Sequence, residues 1–132
     1  TVAQHSVLVA ALLRPMTTAT RFAGLMHDAA EAVLGDMITP LKRVCGDAYR
    51  QYYDTVEAAI FQAHGVQMTA VVKNADQIAL RMEAAKLLAG DAREHFGGFT
   101  EPPPRPLLEK IWTLAEARHY WLSEYDALRP DQ

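Results

Sequence analysis

Cysteine occurs once, at Cys45, so the chain can form no internal disulfide. A reducing, cytoplasmic setting is the expectation. No apolar run reaches the ~20 residues needed to span a bilayer, and no charged-then-apolar leader precedes a cleavage site. A membrane partner is therefore not expected. Surplus positive charge is missing too: 13 Lys and Arg stand against 16 Asp and Glu, a net charge of -3. That balance gives no basic field for a nucleic-acid polymer, so any phosphate must be held by a few local groups. Strand signals are nearly absent as well, with no sustained apolar/polar alternation.

What is present is a moderately apolar, helix-patterned chain. Of its 132 residues 50% are hydrophobic and 22% charged, the balance of a folded domain large enough for a core of its own. Val2 to Leu13 is almost continuously apolar and reads as a buried helix ending before Pro15. The next helix is expected to start at a Thr18 or Thr20 cap and to carry Phe22, Leu25, Met26, Ala29 and Val33, with Gly35 closing it. A third is expected over 47–64, striped by Tyr49, Tyr52, Tyr53, Val56, Ile60 and Ala63 for core or interface packing, and a fourth from Thr69 with Val71, Ala75, Ile78, Ala79, Met82 and Ala85 inside. A Gly/Pro-rich connection over 91–106, either a lid or a plain surface loop, leads to a last helix over 107–128. The expectation is an all-α, single-domain helical bundle spanning 1–132. The start at Thr1, already inside a helical pattern, leads us to expect native sequence, including an N-terminal helix, upstream.

Polar residues interrupt these apolar helices at few places, and those places share a chemistry. His5 breaks the first helix, His27-Asp28 break the second, and Asp76 lies beside the core face of the fourth. Two imidazoles and two carboxylates make a mixed N/O ligand set suited to one divalent transition metal. Burying the carboxylates without a compensating cation would be costly. Glu31 follows His27 by four residues and Asp28 by three, so on one helix all three project near one face. A carboxylate so placed suits proton transfer, and the set points to a metal-dependent hydrolase.

The strings Val2-Ala3-Gln4-His5-Ser6, Gly24-Leu25-Met26-His27-Asp28-Ala29-Ala30-Glu31, Gly35-Asp36-Met37-Ile38-Thr39-Pro40-Leu41-Lys42 and Lys73-Asn74-Ala75-Asp76, followed by Glu83-Ala84, resemble the HD-domain metal-dependent phosphohydrolases. Within that superfamily the chain is most similar to the bacterial 5′-deoxynucleotidase branch and its small phage and bacterial relatives. The resemblance runs from Thr1 to Leu88. It implies a helical bundle of the HD type in which His5, His27, Asp28 and Asp76 bind one metal: manganese, cobalt, zinc or iron. It further implies that Glu31 orients or deprotonates the attacking water and that Asp36 bonds a sugar 3′-hydroxyl. Dinuclear relatives add two histidines between the His-Asp pair and the last Asp. Here that interval holds only His64, so a mononuclear centre is favoured.

The expected activity is release of phosphate from deoxyribonucleoside monophosphates. The alternatives are a deoxynucleoside triphosphate triphosphohydrolase of the same fold and a non-catalytic metal- or nucleotide-binding domain. The family's N-terminal nucleotide-holding Arg and aromatic have no counterpart in this chain, which leaves Lys42, Arg43, Lys73 or Arg81 to meet phosphate. Trp112 and Trp121, nine residues apart, cannot share one narrow helix face, which leaves one of them for a homodimer surface.

Overall fold

A computed structural model describes residues 1–87 and 110–130, and among these every regular element is a helix. The order is α1 (Val2–Leu12), α2 (Thr18–Met26), α3 (Glu31–Leu34), α4 (Thr39–His64), α5 (Ala70–Leu87) and α6 (Leu114–Leu128). The connection over 91–106, lid or plain loop, and His95, which has no motif around it, lie outside the described residues. None of the described helices is long and apolar enough to cross a membrane.

α1 is the central helix. It packs against α2, α5 and α6, and its residues 4 to 10 are all buried. An all-round apolar helix can be satisfied only by such a position. On one side Leu8, Val9 and Leu13 meet Ala23 of α2 and Val72, Ala75, Ala79 and Met82 of α5. On the other, Val7 and Ala10 meet Phe22, Leu25 and Met26 of α2 and Trp112, Ala117 and Leu128 around α6. α1 and α2 approach closely at Gly24, where a Cβ would lie 2.5 Å from Leu13 Cδ1 and 3.3 Å from Val9 Cγ1.

Gln4, buried at 6% exposure, fastens the approach to α6. Its Nε2 donates to the Lys110 carbonyl at 2.9 Å and its Oε1 accepts from the Trp112 amide at 3.0 Å. α6 then starts on a complete capping box formed by Thr113 and Glu116.

Several boundaries depart from the periodicity. The second helix is not continuous to Val33: α2 stops at Met26, residues 27–30 form a turn, and α3 follows. The chain there keeps helical dihedrals at His27 and Ala30 but tightens to i→i+3 bonds, Ala29 N to Met26 O and Glu31 N to Asp28 O. Such tight turns recur where a helix is adapted to a site. Thr17, not Thr18 or Thr20, caps α2 by accepting from Thr20 N.

Thr39-Pro40 open the next helix, eight residues before the expected start at 47, because Pro is well suited to the first helical positions. The resulting α4 is kinked at Gly46 (φ 64°, ψ -151°). Its tyrosine stripe is not a core stripe: Tyr52 is 62% exposed, and Tyr49 and Tyr53 are half-buried. On α5 the buried valine is Val72, with Val71 turned out, and α6 begins seven residues later than the pattern over 107–128 suggests.

Candidate metal centre

Three packed helices bring the four expected ligands together. α1 contributes His5, the turn after α2 contributes His27 and Asp28, and α5 contributes Asp76. His5 Nε2 lies 3.1 Å from Asp76 Oδ1 and 3.9 Å from Asp28 Oδ2. His27 Nε2 lies 3.1 Å from Asp28 Oδ2 and 3.7 Å from Asp76 Oδ1. The donor atoms of His5, His27 and Asp28 are all within 4.8 Å of one another. Ligands about 2.0–2.2 Å from one ion at near-right or tetrahedral angles sit about 3–3.6 Å apart, so this spacing suits donors that share a cation.

The other nitrogen of each imidazole is fixed from behind. His27 Nδ1 donates to the Gly24 carbonyl at 2.8 Å. His5 Nδ1 pairs with Glu83 Oε2 at 2.8 Å, two turns along α5 from Asp76. Carbonyl and carboxylate partners of this kind set the tautomer and aim Nε2 at a metal. His27 Nε2 is buried and makes no hydrogen bond, an orphan that a metal bond would satisfy. The residues present fit a divalent transition metal.

The electrostatics agree. Burial works against charge on both imidazoles, but Asp76 and Glu83 push His5 up to about 9, and Asp28 and Asp76 push His27 up to about 10. Burial would raise Asp76, yet the imidazoles of His27 and His5 beside it hold it well below the usual carboxylate range. Glu31 is raised by burial and by the charge of Asp28, partly offset by Lys42. Burial and nearby negative charges, Asp28 among them, also raise Tyr53 and Glu57. The centre is a concentration of negative potential, which favours a bound cation.

Beside the ligands opens a cavity of about 640 Å³, walled by Asp28, Glu31, Lys42, Arg43, Arg50 and Tyr53 among others. Glu31 Oε1 meets Lys42 Nζ at 3.3 Å, and Lys42 also sits 5.9 Å from the Tyr53 ring centre. The kink at Gly46 lies between Lys42-Arg43 and Arg50, and all three cations line this space.

Asp36 is not drawn into the cluster. It is exposed just past Gly35 (φ 80°), near enough to act on Glu31 through its charge. Lys73 and Arg81 are exposed on α5 and line no part of this cavity. His64 ends α4 against the Tyr125 hydroxyl at 3.1 Å. His119 is exposed beside Tyr120. Trp112 is buried at 7% and precedes α6, and Trp121 is half-buried on it.

Two contributors had no role assigned from the sequence, Glu83, quoted only as part of the last motif, and Arg50. The signal for Glu83 was its seven-residue spacing from Asp76, which puts both on one face of a helix. For Arg50 there was none, because the kink in α4 decides where it points.

No family model matches the chain, and no solved structure matches it. Among curated proteins it is similar to an uncharacterized protein of Rhodobacter capsulatus, 34% identical over 113 residues, which is 78% of this chain and 58% of the relative. It is also similar to the uncharacterized protein YfdR of Escherichia coli, 41% identical over 88 residues, 65% of this chain and 47% of the relative. The chain spans about half the length of the curated relatives it matches.

Proposed function

We propose that this protein is a metal-dependent phosphohydrolase of the HD-domain type acting on nucleotides, in the first instance a 5′-deoxynucleotidase releasing phosphate from deoxyribonucleoside monophosphates. One observation carries the reading: His5, His27, Asp28 and Asp76 converge, with Nδ1 of both imidazoles held from behind. A divalent ion held there would draw charge from phosphoryl oxygens and lower the pKa of a bound water.

The remaining roles fall to the chain's own groups. Glu31, at the cavity wall with its proton affinity raised, takes a proton from the attacking water. Lys42, Arg43 and Arg50 offer positive charge to phosphate oxygens on the same wall. Asp36 enters as the sugar contact on the strength of the resemblance alone.

The three cations favour a second reading, a triphosphohydrolase with the same centre and a longer phosphate site. A non-catalytic domain would not need Glu31 beside the ligands.

The test is a panel of deoxy- and ribonucleoside mono-, di- and triphosphates assayed with manganese, cobalt, zinc and iron. Released phosphate from monophosphates supports the first reading, and released triphosphate supports the second. No turnover of any member with any metal overturns both.

A further inference from the structure

A second cavity, of about 460 Å³, lies on the other side of Asp28, between the start of α1, the α2–α3 turn and α6. Its walls are mostly apolar, with Leu25, Ala29, Trp121 and Leu122 among them, whereas the first cavity is lined by charged side chains. Asp28 lines both, so this second cavity borders the candidate metal centre. A ligand reaching across Asp28 would be anionic at one end and flat or apolar at the other.

We propose that this second cavity is a nucleobase site with Trp121 as its stacking face; the assignment rests on the nucleotide reading above. Its volume falls in the range of small-molecule sites, about 300–1,000 Å³. The Trp121 ring is backed by Tyr125, with centroids 5.2 Å apart and planes 18° from parallel, so the indole is held in a fixed orientation. Ser6 also lines the cavity. It is only 2% exposed, and its hydroxyl is the kind of group that can both donate to and accept from a base edge. Arg118 brings a cation at the α6 wall. Aromatic stacking with one polar anchor is how a protein holds a base without depending on its phosphate.

The experiment titrates the four 2′-deoxynucleosides, which carry no phosphate, into the chain in excess chelator and follows binding by calorimetry. Wild type should bind at least one of them. Trp121→Ala should weaken binding about tenfold or more, and Trp121→Phe, which keeps an aromatic face, should restore most of it. Should Trp121→Ala fail to fold, Ala32→Phe decides: Ala32 is an exposed wall residue, and a ring there fills the space, so binding should be lost.

Failure of wild type to bind any nucleoside, equal binding by wild type and Ala32→Phe, or tighter binding of hexanol than of any nucleoside overturns the proposal. Because neither metal nor phosphate is present, the result is independent of turnover. A protein that hydrolyses nucleotides yet binds no nucleoside defeats the base site alone, and one that binds nucleosides without turnover defeats only the hydrolase reading.

Discussion

His5 and Glu83 are joined across the bundle, Nδ1 to Oε2 at 2.8 Å, while the other nitrogen of the same ring faces Asp76 at 3.1 Å. One face of α5 thus supplies both a candidate ligand and the group that orients another ligand. The two carboxylates should therefore fail differently. Asp76→Ala removes a direct ligand and should abolish metal retention. Glu83→Gln leaves all four donors and should lower metal affinity by about 10–100-fold, the usual worth of such an orienting partner. Metal content after dialysis against graded chelator separates them. Equal loss in both variants would make Glu83 a ligand, and no loss in either would remove the metal centre.

Glu31 is bonded to Lys42 rather than to any candidate ligand, so its removal should spare the metal. Glu31→Gln should keep metal bound and slow nucleotide hydrolysis by roughly 10²–10⁴, the usual range for a positioned general base. Single-turnover rates with metal content measured on the same samples are the check. Rate and metal falling together would make Glu31 a support of the site instead.

Much of this was legible in the sequence for a physical reason. Polar residues that interrupt apolar helices are costly unless they share a partner, so His5, His27, Asp28 and Asp76 stood out. The all-helical fold was legible from periodicity alone, and α1 from its unbroken apolarity. The α2–α3 break was not, because His27 and Ala30 at the two ends of the turn keep helical dihedrals while the bonding changes from i→i+4 to i→i+3. The kink of α4 was not, because the helix was expected only over 47–64, which leaves Gly46 outside it, and a positive φ is not visible in the sequence. The fastening role of Gln4 gave no signal, since its side chain meets backbone groups of Lys110 and Trp112, more than a hundred residues away.

Gly24 sits where α1 and α2 touch, and its carbonyl also receives His27 Nδ1. A side chain there meets Leu13, itself buried at 2% exposure and unable to move aside freely. Gly24→Val should cost about 1–3 kcal/mol by overpacking and lower Tm by several degrees. Thermal melts of the metal-free protein give the answer. A Tm at or above wild type would mean that the helices separate without penalty.

Asp36 tests the sugar assignment. A site built to bond one hydroxyl loses affinity when the ligand lacks it, because its own polar group is left unpaired. Wild type should prefer 2′-deoxynucleotides to 2′,3′-dideoxy analogues, and Asp36→Ala should lose much of that preference while keeping its metal. Equal discrimination by both proteins, read as a ratio of kcat/KM, would remove Asp36 from substrate recognition.

The raised imidazoles set opposite pH dependences for the metal-free and metal-loaded protein. Against an ordinary value of 6.5, His5 stands at about 9 and His27 at about 10. Groups raised on folding contribute stability that is complete below the unfolded pKa and is lost as pH climbs through the folded one. In excess chelator, Tm should therefore fall between pH 6.5 and pH 9. Asp76, held low, acts the other way: its contribution is present above the ordinary carboxylate range and is lost only on strong acidification. Metal binding requires both imidazoles unprotonated, so the ion must displace protons, and its apparent affinity should rise with pH over the same interval. The rise in Tm on adding manganese should grow from pH 6.5 to pH 8.5 while the metal-free Tm declines. Calorimetry in two buffers of different ionisation enthalpy should register proton release on binding. A metal-induced increment that is flat with pH, with no protons released, would mean that His5 and His27 do not bind the ion.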